Sequence, residues 1–65
     1  MFTEDQVIAE VKKITGAESA RIERWLSGSM ASVLLSFPDG PDAYTFRNVV
    51  ADASGDTVNV LGFGL

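Results

Sequence analysis

The 65-residue chain contains no cysteine and no histidine. Without cysteine there is no disulfide framework, no thiolate zinc site and no cysteine nucleophile. Without histidine, the commonest transition-metal ligand and the commonest general base are both missing. Cations are few as well: Lys12, Lys13, Arg21, Arg24 and Arg47 stand against nine acids, for a net charge of −4. Phosphate binding draws on several cations facing one way, which five scattered ones do not supply, so nucleic acid is not an expected partner. No apolar run nears the roughly 20 residues of a membrane span. The opening MFTEDQ has neither the basic nor the apolar region of a signal peptide. A membrane is therefore not an expected partner either, and the initiating methionine makes the cytoplasm the expected location.

What the chain does have is 46% hydrophobic and only 22% charged residues, the balance of a folded domain rather than a disordered segment. Its length makes it one domain, residues 1–65. A domain this short buries only about 60% of the surface its unfolded form exposes. Its core is thin, and with disulfides and thiolate metal sites excluded, self-association is the remaining support.

The first element is the most fully specified. Thr3 and Gln6 have the spacing of a capping box, each side chain satisfying a backbone N–H that the first turn leaves unpaired. Phe2 and Val7 have the spacing of a hydrophobic staple. Glu4 and Asp5 complement the positive end of the helix dipole, and Lys12 and Lys13 the negative end. Val7, Ile8, Val11 and Ile14 recur on one helical face, and Gly16 suits a left-handed C-cap. The pattern predicts a helix from Glu4 to Thr15.

From Ser19 the period changes. SARIERWL reads as a strand, with Ala20 and Ile22 on one side and Arg21, Glu23 and Trp25 on the other. It also reads as a short helix with an Ile22, Trp25, Leu26 stripe, opened by Thr15 and Glu18 as a second capping box. The strand is preferred, because SGS (Ser27 to Ser29) resembles a tight hairpin connection and MASVLLSF follows it. Further strands are expected over Met30–Phe37, with Val33, Leu35 and Phe37 on one face, over Ala43–Ala51, and over Thr57–Phe63. PDGPD and DASGD are the turns between them. The expected fold is α+β: an N-terminal helix packed on an antiparallel β-meander of three to four strands.

The chemistry-bearing residues do not assemble into a catalyst. Asp52, Ser54 and Asp56 alternate like calcium ligands, yet Gly55 is fourth in that loop and Phe63 twelfth, where an EF-hand needs glycine sixth and glutamate last. Asp39 and Asp42 fall in a loop at the other end of a meander, so the acids do not flank one cleft. The serines have no histidine to activate them, SGSMAS lacks the nucleophile-elbow pattern, and GFG near the end opens no helix that could hold a phosphate. Neither an enzyme nor a cofactor or metal site is expected.

Protein binding is the remaining class. On the strand reading, Trp25 shares the face opposite Ile22 with Arg21, and together with Met30 and Leu34 it makes an apolar patch on a face the helix leaves open. Exposed patches holding tryptophan, methionine and arginine mark protein interfaces. The alternative is that Trp25 folds over the sheet edge and completes the core. Arg21 and Arg47 complete the candidate set of Trp25, Met30, Leu34, Arg21 and Arg47. At the C-terminus, Leu61, Phe63 and Leu65 alternate with Gly62 and Gly64, a strand with bare backbone on one face and a candidate edge for homodimer pairing.

One stretch carries a resemblance. Ala51-Asp52-Ala53-Ser54-Gly55-Asp56-Thr57-Val58 resembles the end of PepSY-type domains, where a strand closes on a pattern like VDA-x-TGEV and turns into the last strand. The order of segments FTEDQVIAEVKKITG, ARIERWL, SVLLSFPDG and AYTFRNVVADASGD is also similar. Ser-Gly-Asp stands here for Thr-Gly-Glu, and PepSY-type domains are mostly extracytoplasmic. The resemblance implies an inhibitory or regulatory protein-binding module with no catalytic residues. The expected function is thus a small acidic, non-catalytic module that binds another protein as an inhibitor or regulator. A mobile-element inhibitor of a host enzyme and a structural homodimer paired through the last strand are the alternatives.

Overall fold

A computed structural model of the chain describes residues 2–64. One helix, α1 (Glu4–Thr15), precedes four strands, β1 (Ser19–Trp25), β2 (Met30–Pro38), β3 (Tyr44–Asp52) and β4 (Asn59–Gly64). The strands form one antiparallel sheet in the order β1-β2-β3-β4, so every strand pairs with its neighbour in sequence. This is the α+β architecture expected, with the helix on one face of a meander.

The helix has the bounds and both caps that its pattern predicts. The Thr3 side chain accepts from the Gln6 N–H at 3.2 Å, and the Thr3 N–H donates to Gln6 Oε1 at 2.8 Å. Gly16 ends the helix in the left-handed region (φ 76°), its N–H donating to the Lys12 carbonyl at 2.8 Å. Thr15 tightens the exit: its hydroxyl donates to the Val11 carbonyl and accepts from the Ala17 N–H. The chain then enters the sheet through the Glu18 N–H, which donates to the Ser36 carbonyl. Residues 19–25 are therefore a strand and not a second helix.

The core lies between α1 and one face of the sheet. Val7 and Val11 from the helix meet Ala31, Val33, Leu35, Val49 and Ala51 from β2 and β3, all at 1% exposure or less. Phe2, Ala20, Ile22 and Val60 pack around them, half-buried. Ile14, although in phase with the helical stripe, is exposed. The whole chain exposes 4352 Å², against roughly 10,000 Å² for an unfolded chain of this mass, so a little under six-tenths of the surface is buried.

Two bulges set which residues share a face. In β1, Ile22 pairs with Val33 and Arg24 with Ser32, leaving Glu23 as the extra residue. In β4, Leu61 and Gly62 together face Val50, because Phe63 pairs with Val49 and Val60 with Ala51. Gly62 takes φ 123° there, a conformation glycine adopts without a Cβ penalty. A bulge shifts the side-chain alternation by one residue and moves everything beyond it to the other face.

Candidate functional site

Directly opposed residues of an antiparallel pair project on the same side, so the register sorts the sheet into rows. On the helix side the rows are Ala20–Leu35–Arg47, Ile22–Val33–Val49 and Trp25–Ala31–Ala51–Val60. On the open side they are Ser19–Ser36–Phe46, Arg21–Leu34–Asn48, Arg24–Ser32–Val50 and Met30–Asp52–Asn59. Leu61, one residue beyond Val60, falls on the open side next to Val50.

This sorting divides the five residues that the sequence pattern groups together. Arg21, Met30 and Leu34 do share the open face. Trp25 does not: strict alternation puts it with Arg21, but the bulge at Glu23 reverses the phase and sets it opposite Ala31 on the helix side. It ends β1 there, at 39% exposure. Arg47 also belongs to the helix side, opposite Leu35 in the first half of β3, and is exposed. Of the apolar alternation expected in the last strand, only Leu61 can be followed, at 58% exposure; Leu65 and the Phe63 side chain lie outside the described residues.

Phe46 is the residue that sequence reasoning left without a role. It stands on the open face at 62% exposure, the most exposed large hydrophobic residue of the described chain. Its signal was present in the β3 alternation, which sets Phe46, Asn48 and Val50 against Val49 and Ala51. Phe46 lies diagonal to Leu34 across the β2–β3 pair, a separation of about 7–8 Å between backbones that an aromatic ring spans. Leu34, Phe46, Val50 and Leu61 therefore make a broken apolar stripe over the open face, interrupted by Asn48, Ser32 and the arginines.

The best-formed concavity lies at one end of this stripe. Ser19, Arg21, Leu34, Ser36 and Phe46 line an open groove of about 210 Å³, with Leu35 contributing beneath. Ser36 forms its floor and is the one buried polar residue of the described chain, at 8% exposure. Its hydroxyl is hydrogen-bonded to that of Ser19 across the strand pair. Arg21 stands at the rim, its guanidinium 3.6 Å from the Glu23 carboxylate, with both groups solvent-exposed. An ion pair so exposed is loose and contributes little.

Elsewhere the polar groups serve the turns. The Ser27 hydroxyl accepts from the Met30 N–H at 3.2 Å in the first hairpin. Asp39 accepts from the Thr45 hydroxyl in the second loop, and Asp52 from the Ser54 N–H at 3.0 Å in the third. The two acidic loops sit at opposite ends of β3, which keeps Asp39 and Asp42 away from Asp52 and Asp56. Among the described residues no three acids come together in a way that could hold a metal ion, and no helix is long and apolar enough to cross a membrane. Compared with known proteins, the chain matches no family model, no curated protein and no solved structure.

Proposed function

We propose that this protein is a non-catalytic binding module that engages another protein through the open face of its sheet, as an inhibitor or regulator. The observation that carries the reading is the diagonal juxtaposition of Leu34 and the highly exposed Phe46 beside Arg21, on the sheet face that no described element covers. An aromatic ring, a leucine and an arginine within one small area are the residue types that anchor protein interfaces. The resemblance of Ala51–Val58 to PepSY-type domains accords with an inhibitory or regulatory role. Trp25 and Arg47 belong to the helix side and are not part of the proposed face.

The test is capture of partners from source-cell lysate by the tagged protein, read by quantitative mass spectrometry beside two variants. A partner recovered near one-to-one by the wild type and by Ile14→Lys, but lost with Leu34→Asp/Phe46→Asp, supports the open face. Ile14 is the control because it too is an exposed large hydrophobic residue and lies on the helix. Loss with Ile14→Lys and retention by the double variant would overturn it.

A second reading rests on the contrast between the two sheet edges. Each edge strand has one bulge, but β1 is also guarded by the charges of Arg21, Glu23 and Arg24, whereas β4 (Asn59–Gly64) carries no charged residue and no proline. Unguarded edges invite pairing with another strand, and a second copy would pair antiparallel through β4. Sedimentation should then show a dimer that Phe63→Lys converts to monomer; a monomeric wild type removes this reading.

A further inference from the structure

Resting on the open-face reading, we infer that the groove between Ser19, Arg21, Leu34, Ser36 and Phe46 receives an apolar side chain of the partner, with a neighbouring Asp or Glu of the partner on Arg21. Size is the first argument. At about 210 Å³ the groove is smaller than the 300–1,000 Å³ of small-molecule and cofactor sites. An open groove of that size suits one side chain.

Chemistry is the second argument. The walls are the Leu34 side chain and the Phe46 ring, which bury an aliphatic group well. The rim carries Arg21 beside Glu23, and the open-side rows of β1 bring Arg24 to the same edge, which leaves one net positive charge there. The chain as a whole carries −4, and Arg21 and Arg24 are the cations on the open face, so an acidic partner segment approaches that face along its β1 side. Arg21 is held only by Glu23, at 3.6 Å and in solvent, and a guanidinium has five donors in a fork that fits a carboxylate. The floor adds a polar contact. The Ser19 and Ser36 hydroxyls share one hydrogen bond, which consumes one of their two protons, so the other O–H is left to donate to a carbonyl or carboxylate in the groove.

The side-chain source of the carboxylate follows from what surrounds Arg21. Capture of a chain terminus relies on successive backbone N–H groups forming a nest, whereas the N–H groups of successive residues in the extended strands β1 and β2 point alternately to opposite sides and form no such nest. An internal acidic residue beside an apolar one is the fitting partner element.

The test is a titration followed by amide NMR shifts of the full chain, with N-acetyl-Leu-Glu-amide as probe. Saturable shifts at Ser19, Arg21, Leu34, Ser36 and Phe46 in the millimolar range are expected. N-acetyl-Leu-Gln-amide should bind roughly threefold more weakly, the size of an exposed ion pair, and N-acetyl-Gly-Glu-amide more weakly still. Arg21→Gln should erase the preference for Glu over Gln. Glu23→Gln, which frees the guanidinium, should enlarge it, a change that a purely structural role for the pair would not produce. Equal binding of the Glu and Gln probes, shifts centred on other residues, or tighter binding of N-acetyl-leucine through its terminal carboxylate would each overturn the inference. Partner capture separates this failure from that of the broader reading. If Leu34→Asp/Phe46→Asp loses the partner while Arg21→Gln keeps it, the open face stands and the acidic contact falls; if the double variant keeps it, both fall.

Discussion

The two faces of this sheet are built from similar residues and have opposite fates. Leu34 and Leu35 are neighbours in β2, yet Leu35 is fully buried and Leu34 only half so. Val49 and Val50 repeat the contrast in β3. What separates them is a single helix. Val7 and Val11 dry out the rows through Val33, Leu35, Val49 and Ala51, and among the described residues nothing does the same for Leu34, Phe46, Val50 and Leu61. The lesson is that hydrophobicity says a residue would gain from burial, whereas topology says whether a cover exists. Where it does not, the exposed apolar residue becomes a candidate for contact with another molecule.

The sharpest way to break this comparison is to truncate the paired leucines. Leu35→Ala should cost about 2–5 kcal/mol, the range for a buried leucine, and in a domain with so thin a core it should leave the chain largely unfolded. Leu34→Ala should cost less than half as much. Urea denaturation followed by circular dichroism measures both, and equal costs would mean that the open face is covered in solution. Trp25→Ala comes next, at about 2 kcal/mol, since the residue stands opposite Ala31 on the covered side while remaining 39% exposed. A variant as stable as the wild type would put Trp25 on the open face after all. The smallest effect is expected for Phe46→Ser: within about 0.5 kcal/mol of the wild type in the same denaturation, with partner capture lost. A large loss of stability there would assign the ring to the fold and not to binding.

How much of this could be read beforehand depends on how local each signal is. The helix was legible to its last residue, because Thr3, Gln6 and Gly16 act within one turn of themselves. The faces of β2 and β3 were legible too, since Val33, Leu35 and Phe37 alternate without interruption, and the strand limits differ from expectation by a residue or two. Trp25 was misplaced for a definite reason. Arg-Ile-Glu-Arg-Trp alternates acceptably in either phase, and the extra residue at Glu23 exists only relative to Ser32 and Val33 on the partner strand. The groove was hidden for the same reason: Ser19 and Ser36 are seventeen positions apart and meet only through the β1–β2 register.

The amino-acid sequence by itself determined the helix, its caps, the succession of strands and the absence of cysteine and histidine chemistry. These follow from propensity, periodicity and composition, which act over a few residues. The tertiary structure alone decided which side Trp25 joins, that Phe46 and Leu34 stand uncovered beside Arg21, and that two serine hydroxyls close the floor of a groove. Strand pairing sets those features, and a shift of one residue in the pairing exchanges the two faces of everything beyond it.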